Sequence, residues 1–139
     1  MKKLLVLLVC ALSLQVTAQS SGQNWLTNYK TALTTAASLN QPILTFVTDG
    51  SNSKALQLLE QELFDTETFR SLKGKVVFLK MDVTSSNVDA RRHATHFTKS
   101  ESVPALGLVD QYKEMIGEPL NEITSENINA FIALLNTTF

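Results

Sequence analysis

The stretch Ile43–Phe64, ILTFVTDGSNSKALQLLEQELF, decides how the rest of the chain is read. Ile43–Thr48 is an apolar run rich in β-branched and aromatic residues, with Asn40-Gln41-Pro42 before it and Asp49-Gly50 after it. That reads as a buried strand. Ser51-Asn52-Ser53 then supplies N-cap chemistry, and Leu56, Leu59 and Leu63 recur at helical spacing. A strand that passes through a polar loop into a helix start aims unpaired N–H groups and the positive end of a helix dipole at solvent. Such a place suits an anion or a thiol of lowered pKa. Here it carries no thiol.

Upstream, Asn24 predicts the cap of a helix running to about Asn40, with Trp25, Tyr29, Ala32, Leu33, Ala36 and Leu39 on its buried face. Pro42 stops it. Downstream, Thr66–Leu72 reads as a short helix burying Phe69 and Leu72, closed by a glycine signal at Lys73-Gly74-Lys75. Val76–Val83 is a second apolar run, interrupted before Asp82 only by Lys80, and reads as an interior strand. Thr84–Asn87 is a turn and cap cluster. Val88–Phe97 predicts a helix burying Val88, Ala90, Ala94 and Phe97. Ala105–Val109 and Tyr112–Ile116 predict an antiparallel hairpin, and Ser125–Leu135 a last helix capped by Thr124 or Ser125. Alternating β and α elements followed by a hairpin predict one α/β unit, a mixed central sheet with helices on both faces.

The chain has 139 residues, 44% of them hydrophobic, enough for one domain with a real core. Twelve basic residues against thirteen acidic ones offer no support for a nucleic-acid surface. Residues 1–18 are of a different kind. Met1-Lys2-Lys3 is a positive n-region, Leu4–Leu14 an apolar h-region, and Val16-Thr17-Ala18 a cleavage site, so a secretory signal peptide cut after Ala18 is expected. Acylation at Cys10 is the rival, but Leu8-Val9 lacks the small residue wanted before such a cysteine. Residues 19–24 form a polar lead-in, and 25–139 the domain. Cleavage removes Lys2 and Lys3, leaving ten basic residues against thirteen acidic ones, and it removes Cys10. Cys10 is the only cysteine, so the exported domain has no disulfide, no thiolate and no Cys-ligated metal.

Several segments resemble, in order, exported bacterial members of the thioredoxin-like superfamily. Trp25-Leu26…Tyr29…Ala32 followed by Gln41-Pro42-Ile43-Leu44…Phe46 is similar to that family's opening helix and first core strand. Glu62-Leu63-Phe64-Asp65-Thr66…Phe69, Phe78–Val83 and Phe97…Ser102-Val103-Pro104-Ala105…Val109-Asp110 resemble the later segments, the last presenting a cis-proline. The likeness spans Trp25–Leu135. It implies a three-layer α/β/α sandwich with about four strands in a mixed sheet. The family's Cys-x-x-Cys positions fall on Ser53 and Leu56, in Ser53-Lys54-Ala55-Leu56. A serine hydroxyl forms no disulfide, so dithiol–disulfide exchange by the mature chain is excluded.

The resemblance also implies that Val103 exposes its backbone beside Ser53, where an extended peptide adds as a short strand. The binding residues expected are Thr48, Asp49, Ser51, Ser53, Val103 and Pro104, against the plainer reading of Pro104 as a strand-edge terminator. Ser53 is expected to be an N-cap. The sharper alternative is a glutathione-dependent transferase-like enzyme in which Ser53 steadies the ligand's thiolate. Asp89, His93 and His96, at i, i+4 and i+7, are a weak metal candidate, since no fourth ligand is identifiable and Arg91 and Arg92 flank them. Asn136-Thr137-Thr138 fits a glycosylation sequon, and Tyr112, Met115 and Ile116 are core by default. The expectation is a periplasmic or secreted, non-catalytic protein- or peptide-binding module. It needs no cofactor, binds no nucleic acid and touches no membrane once the signal is cleaved. A structural relic serving only assembly is the remaining possibility.

Overall fold

The computed structural model describes residues 23–86 and 88–139. The proposed signal peptide, Gln19 to Gly22 of the lead-in and Asn87 lie outside the described residues. The elements in order are α1 (Tyr29–Leu39), β1 (Ile43–Thr48), α2 (Lys54–Leu59) running on as a π-helical turn (Glu60–Phe64), α3 (Glu67–Arg70), β2 (Val77–Asp82), α4 (Val88–Thr98), β3 (Ala105–Val109) and α5 (Ser125–Thr138).

β1 is the centre of the sheet, buried at every position, with β2 parallel on one side and β3 antiparallel on the other. Successive β1 side chains point to opposite faces. Leu44 and Phe46 join the core beneath α2, α3 and α5, together with Leu59, Leu63, Phe69, Ile128 and Phe131. Ile43 and Val47 join the second core, made with Ala32 and Ala36 of α1 and Ala94 and Phe97 of α4. Helices thus cover both faces, as a strand apolar on both sides requires. Small residues on α1 let it lie close to the sheet. Among the described residues no helix is long and apolar enough to cross a membrane.

Local signals set most helix starts. Ser53, Thr66 and Thr124 each accept a hydrogen bond from the backbone N–H three residues on, and Gly74 adopts φ +80° where the glycine signal stood.

The structure corrects four expectations. The first helix is capped by Asn28, whose Oδ1 accepts from Thr31 N at 3.0 Å, so Trp25 and Leu26 lie outside it. They are extended instead. Leu26 bridges Leu79 at the open side of β2, its N–H donating to Phe78 O and its carbonyl accepting from Lys80 N, both at 2.8 Å. The two side chains accordingly pack in opposite cores.

Leu39 and Val88, expected to be buried, are 56% and 62% exposed. Each is a terminal residue of its helix, where the face turns away from the sheet. Gln23, in the polar lead-in, is buried, its Nε2 donating to Phe69 O at 3.1 Å.

Of the expected hairpin only an antiparallel bridge between Val109 and Met115 forms, Ile116 N donating to Leu108 O at 2.8 Å, so the sheet has three strands where about four were expected. Asp110 takes the N–H groups of Tyr112 and Glu114 onto its own carboxylate, and Lys113 and Gly117 have φ +72° and +68°. That geometry spends the Tyr112 and Glu114 N–H groups on the turn. The edge of β3 is closed only by single bridges to Met115 and Leu120, and Tyr112 is 75% exposed. Asn136 of the sequon lies in α5, where its Oδ1 accepts from Thr68 Oγ1.

Candidate functional site

The strand register brings three chain segments to one end of the sheet. Thr48 ends β1 beside Asp82 at the end of β2, and Val47 faces Ala105, the first residue of β3. The Thr48–Ser53 loop, the Asp82–Thr84 turn and the Val103–Pro104 segment therefore meet there. Val83 N–H ties the second to the first by donating to Thr48 O at 2.9 Å.

The side chains of Thr48, Asp49, Ser51, Asp82 and Thr84 are engaged locally. Thr48 Oγ1 accepts from Gly50 N at 3.0 Å, and Gly50 turns the chain at φ +76°. Asp49 Oδ1 accepts from Ser51 Oγ at 2.6 Å and Ser51 N at 2.9 Å. Asp82 Oδ1 does the same with Thr84 Oγ1 at 2.6 Å and Thr84 N at 2.8 Å. The Ser51 hydroxyl first, then its N–H, holds the Asp49 carboxyl below the usual range. Thr84 does so for Asp82, opposed in part by the nearby charge of Asp49. Both carboxylates are consequently ionised at neutral pH, and neither is placed as a proton donor.

Ser53 Oγ accepts from Leu56 N at 3.1 Å. It is a cap. Leu56 is half-buried against the aromatic core, so the two positions that the resemblance assigns to redox chemistry hold a hydrogen-bond acceptor and a packing side chain.

Pro104 is buried and the Val103–Pro104 peptide is cis. Val103 is half-buried, and its N–H and carbonyl make no hydrogen bond to another described residue. Ser102 N donates to Ser100 Oγ at 2.9 Å, which folds the approach to Val103 back on itself.

Sequence reasoning missed the cavity beside this rim. It measures about 410 Å³ and is lined by Gln23, Trp25, Phe46, Thr48, Leu56 and Lys80, among others. Lys80 Nζ stands 6.0 Å from the Phe46 ring centroid. The signal was present: Lys80 is the one charge inside the apolar run of β2, and a lone charge there marks a side chain that must reach solvent at the sheet's edge.

Asp89, His93 and His96 are not gathered. His93 stacks on Tyr29 with ring centroids 3.9 Å apart, while His96 meets Phe97 edge-on at 5.4 Å. Among the described residues no group of three or more His, Cys, Asp or Glu side chains is placed to hold a metal ion. Burial against Tyr29 pushes the His93 pKa down, with Asp89 opposing.

No protein-family model matches the chain, and no curated protein is similar to it in sequence. Solved structures are similar in shape. A DsbH oxidoreductase superposes with a TM-score of 0.59 at 16% identity, covering 88% of this chain and 92% of its own. A disulphide isomerase from Xylella fastidiosa Temecula1 gives 0.50 at 15% identity, covering 81% and 98%.

The fold is thioredoxin-like. In this thioredoxin-like chain no cysteine lies among the described residues, the only one in the sequence being Cys10. The scaffold is shared with proteins named for thiol chemistry.

Proposed function

We propose that the chain is an exported thioredoxin-like domain that performs no redox reaction and binds an extended peptide or a protein segment at the Thr48–Ser53 and Val103–Pro104 rim. The observation that carries this reading is the backbone of Val103, which makes no hydrogen bond to another described residue at the end of the sheet where the Thr48–Ser53 loop also lies. An N–H and a carbonyl without partners at a strand end are what an added strand requires. Ser53 gives little support to glutathione chemistry, because its oxygen accepts from Leu56 N. Export rests on the charged start, apolar run and small-residue site of Met1–Ala18.

Two measurements on the chain from Gln19 onward test the proposal. In a dithiothreitol-driven insulin-reduction assay its rate is expected to equal the uncatalysed one. In an amide NMR titration with extended peptides, saturable shifts are expected at residues 48–53 and 102–105. Insulin reduction above background, or shifts confined to other regions, would overturn it.

A further inference from the structure

The cavity beside the rim has the chemistry of a side-chain pocket. Trp25 packs at 5.7 Å from Phe46 and 6.2 Å from Phe64, and these rings with Leu56 form its apolar walls. Its volume of about 410 Å³ admits a ring-sized side chain. Thr48 and Gly50 of the rim line it, together with Lys80.

Its polar lining is mixed, with Asn24 and Lys80 beside Gln23, Thr48 and Glu60. Gln23 lines it and is 9% exposed, with Nε2 fixed on Phe69 O at 3.1 Å. That bond leaves Gln23 Oε1 buried without a partner among the described residues. A buried acceptor without a donor is unfavourable unless something supplies the missing bond. Glu60 adds a second acceptor, and Thr48 Oγ1 already has its donor in Gly50 N. Lys80 Nζ stands over the Phe46 ring, 6.0 Å from its centroid. The aromatic walls thus stand beside one buried acceptor, Gln23 Oε1, that lacks a donor among the described residues.

We propose that this cavity receives a tyrosine or tryptophan side chain of the bound partner, its O–H or N–H donating to Gln23 Oε1 after a small swing of the amide. An aromatic ring with a donor at its edge satisfies both features at once. Phenylalanine satisfies one. The proposal rests on the binding role given to the rim, because Thr48 and Gly50 of the rim line the cavity and the ring would be carried in by the bound segment.

The test uses 4-methylphenol, the tyrosine side chain alone, with toluene as the ring lacking a donor. Trp25 is the single tryptophan, so its indole N–H gives one resolved NMR signal from the cavity wall. Titration with 4-methylphenol is expected to move that signal saturably, with affinity about five- to tenfold above toluene's, the factor one hydrogen bond provides. Leu56→Trp, which fills the cavity, is expected to abolish the shift. Gln23→Leu, checked for native circular dichroism, is expected to bring the two probes to equal affinity. No saturable shift, equal affinities in the unaltered protein, or a preference that survives Gln23→Leu would overturn the proposal. A peptide without aromatic residues separates the two readings. If it fails to shift the amides of residues 102–105 while 4-methylphenol still binds, the rim reading fails and the cavity assignment stands.

Discussion

Gly107 lies directly against the carbonyl of Phe97: a Cβ at residue 107 would stand 2.1 Å from that oxygen. The last turn of α4 therefore rests on the backbone of β3, opposite Thr45 in β1. The same turn leads through Thr98, whose Oγ1 donates to Ser100 O at 3.0 Å, into the loop that delivers Val103 and Pro104. A glycine in the sheet thus sets how closely α4 approaches the candidate site.

Gly107→Ala is expected to destabilise the domain by ~2 kcal/mol or more, because backbone rather than a flexible side chain must move. Urea unfolding measures it. A midpoint unchanged from the unaltered protein contradicts the packing described.

Thr45→Val is expected to act in the opposite sense. Thr45 is fully buried and its Oγ1 has no partner among the described residues. Replacing the hydroxyl by a methyl group removes an unsatisfied polar atom at nearly constant shape, and a gain of about 1 kcal/mol is expected. A loss of stability in the same urea experiment would mean that the hydroxyl is satisfied in solution.

Ser53→Ala separates capping from chemistry. Loss of the bond from Leu56 N is expected to lower stability by about 1 kcal/mol, and Ser53→Asn, which can still cap, by only a fraction of that. Peptide shifts at residues 102–105 are expected to persist in both variants. A capping role is wrong if Ser53→Ala unfolds at the same urea concentration as the unaltered chain.

His93 gives the pH dependence its sign. Its folded pKa lies below the unfolded value of about 6.5, mainly because burial against Tyr29 disfavours the cation. The unfolded chain then binds more protons in the window between the two values, so stability falls as pH drops from about 6.5 towards the folded pKa and levels off below it. His93→Phe keeps a ring on Tyr29 and is expected to flatten the unfolding midpoint between pH 7.5 and 5.5. An identical slope in the variant assigns the dependence to another group.

Much of the fold was legible because its signals are short-range. The apolar run Ile43–Thr48 became the central strand with unchanged bounds, and Ser53, Thr66 and Thr124 capped the helices that follow them. A cap needs only a side chain and an N–H three residues away. Trp25 misled for a complementary reason: its spacing to Tyr29 and Ala32 fits a helix face, but Asn28 offers a better cap and the edge of β2 offers Leu26 a pairing partner. The turn at Asp110 likewise competes with the ladder for Tyr112 N and Glu114 N, a contest that apolar patterning does not register.

The candidate site divides the same way. Its sequence alone settles that the one cysteine is Cys10, far upstream of the helix start at Ser53, since which atoms exist there is a matter of composition. Only tertiary structure decides that Gln23 reaches Phe69, that Lys80 stands over Phe46, and that β1, β2 and β3 end together at one rim. Those relations join residues tens of positions apart. They follow from how two cores close on the faces of one strand, which no local pattern encodes.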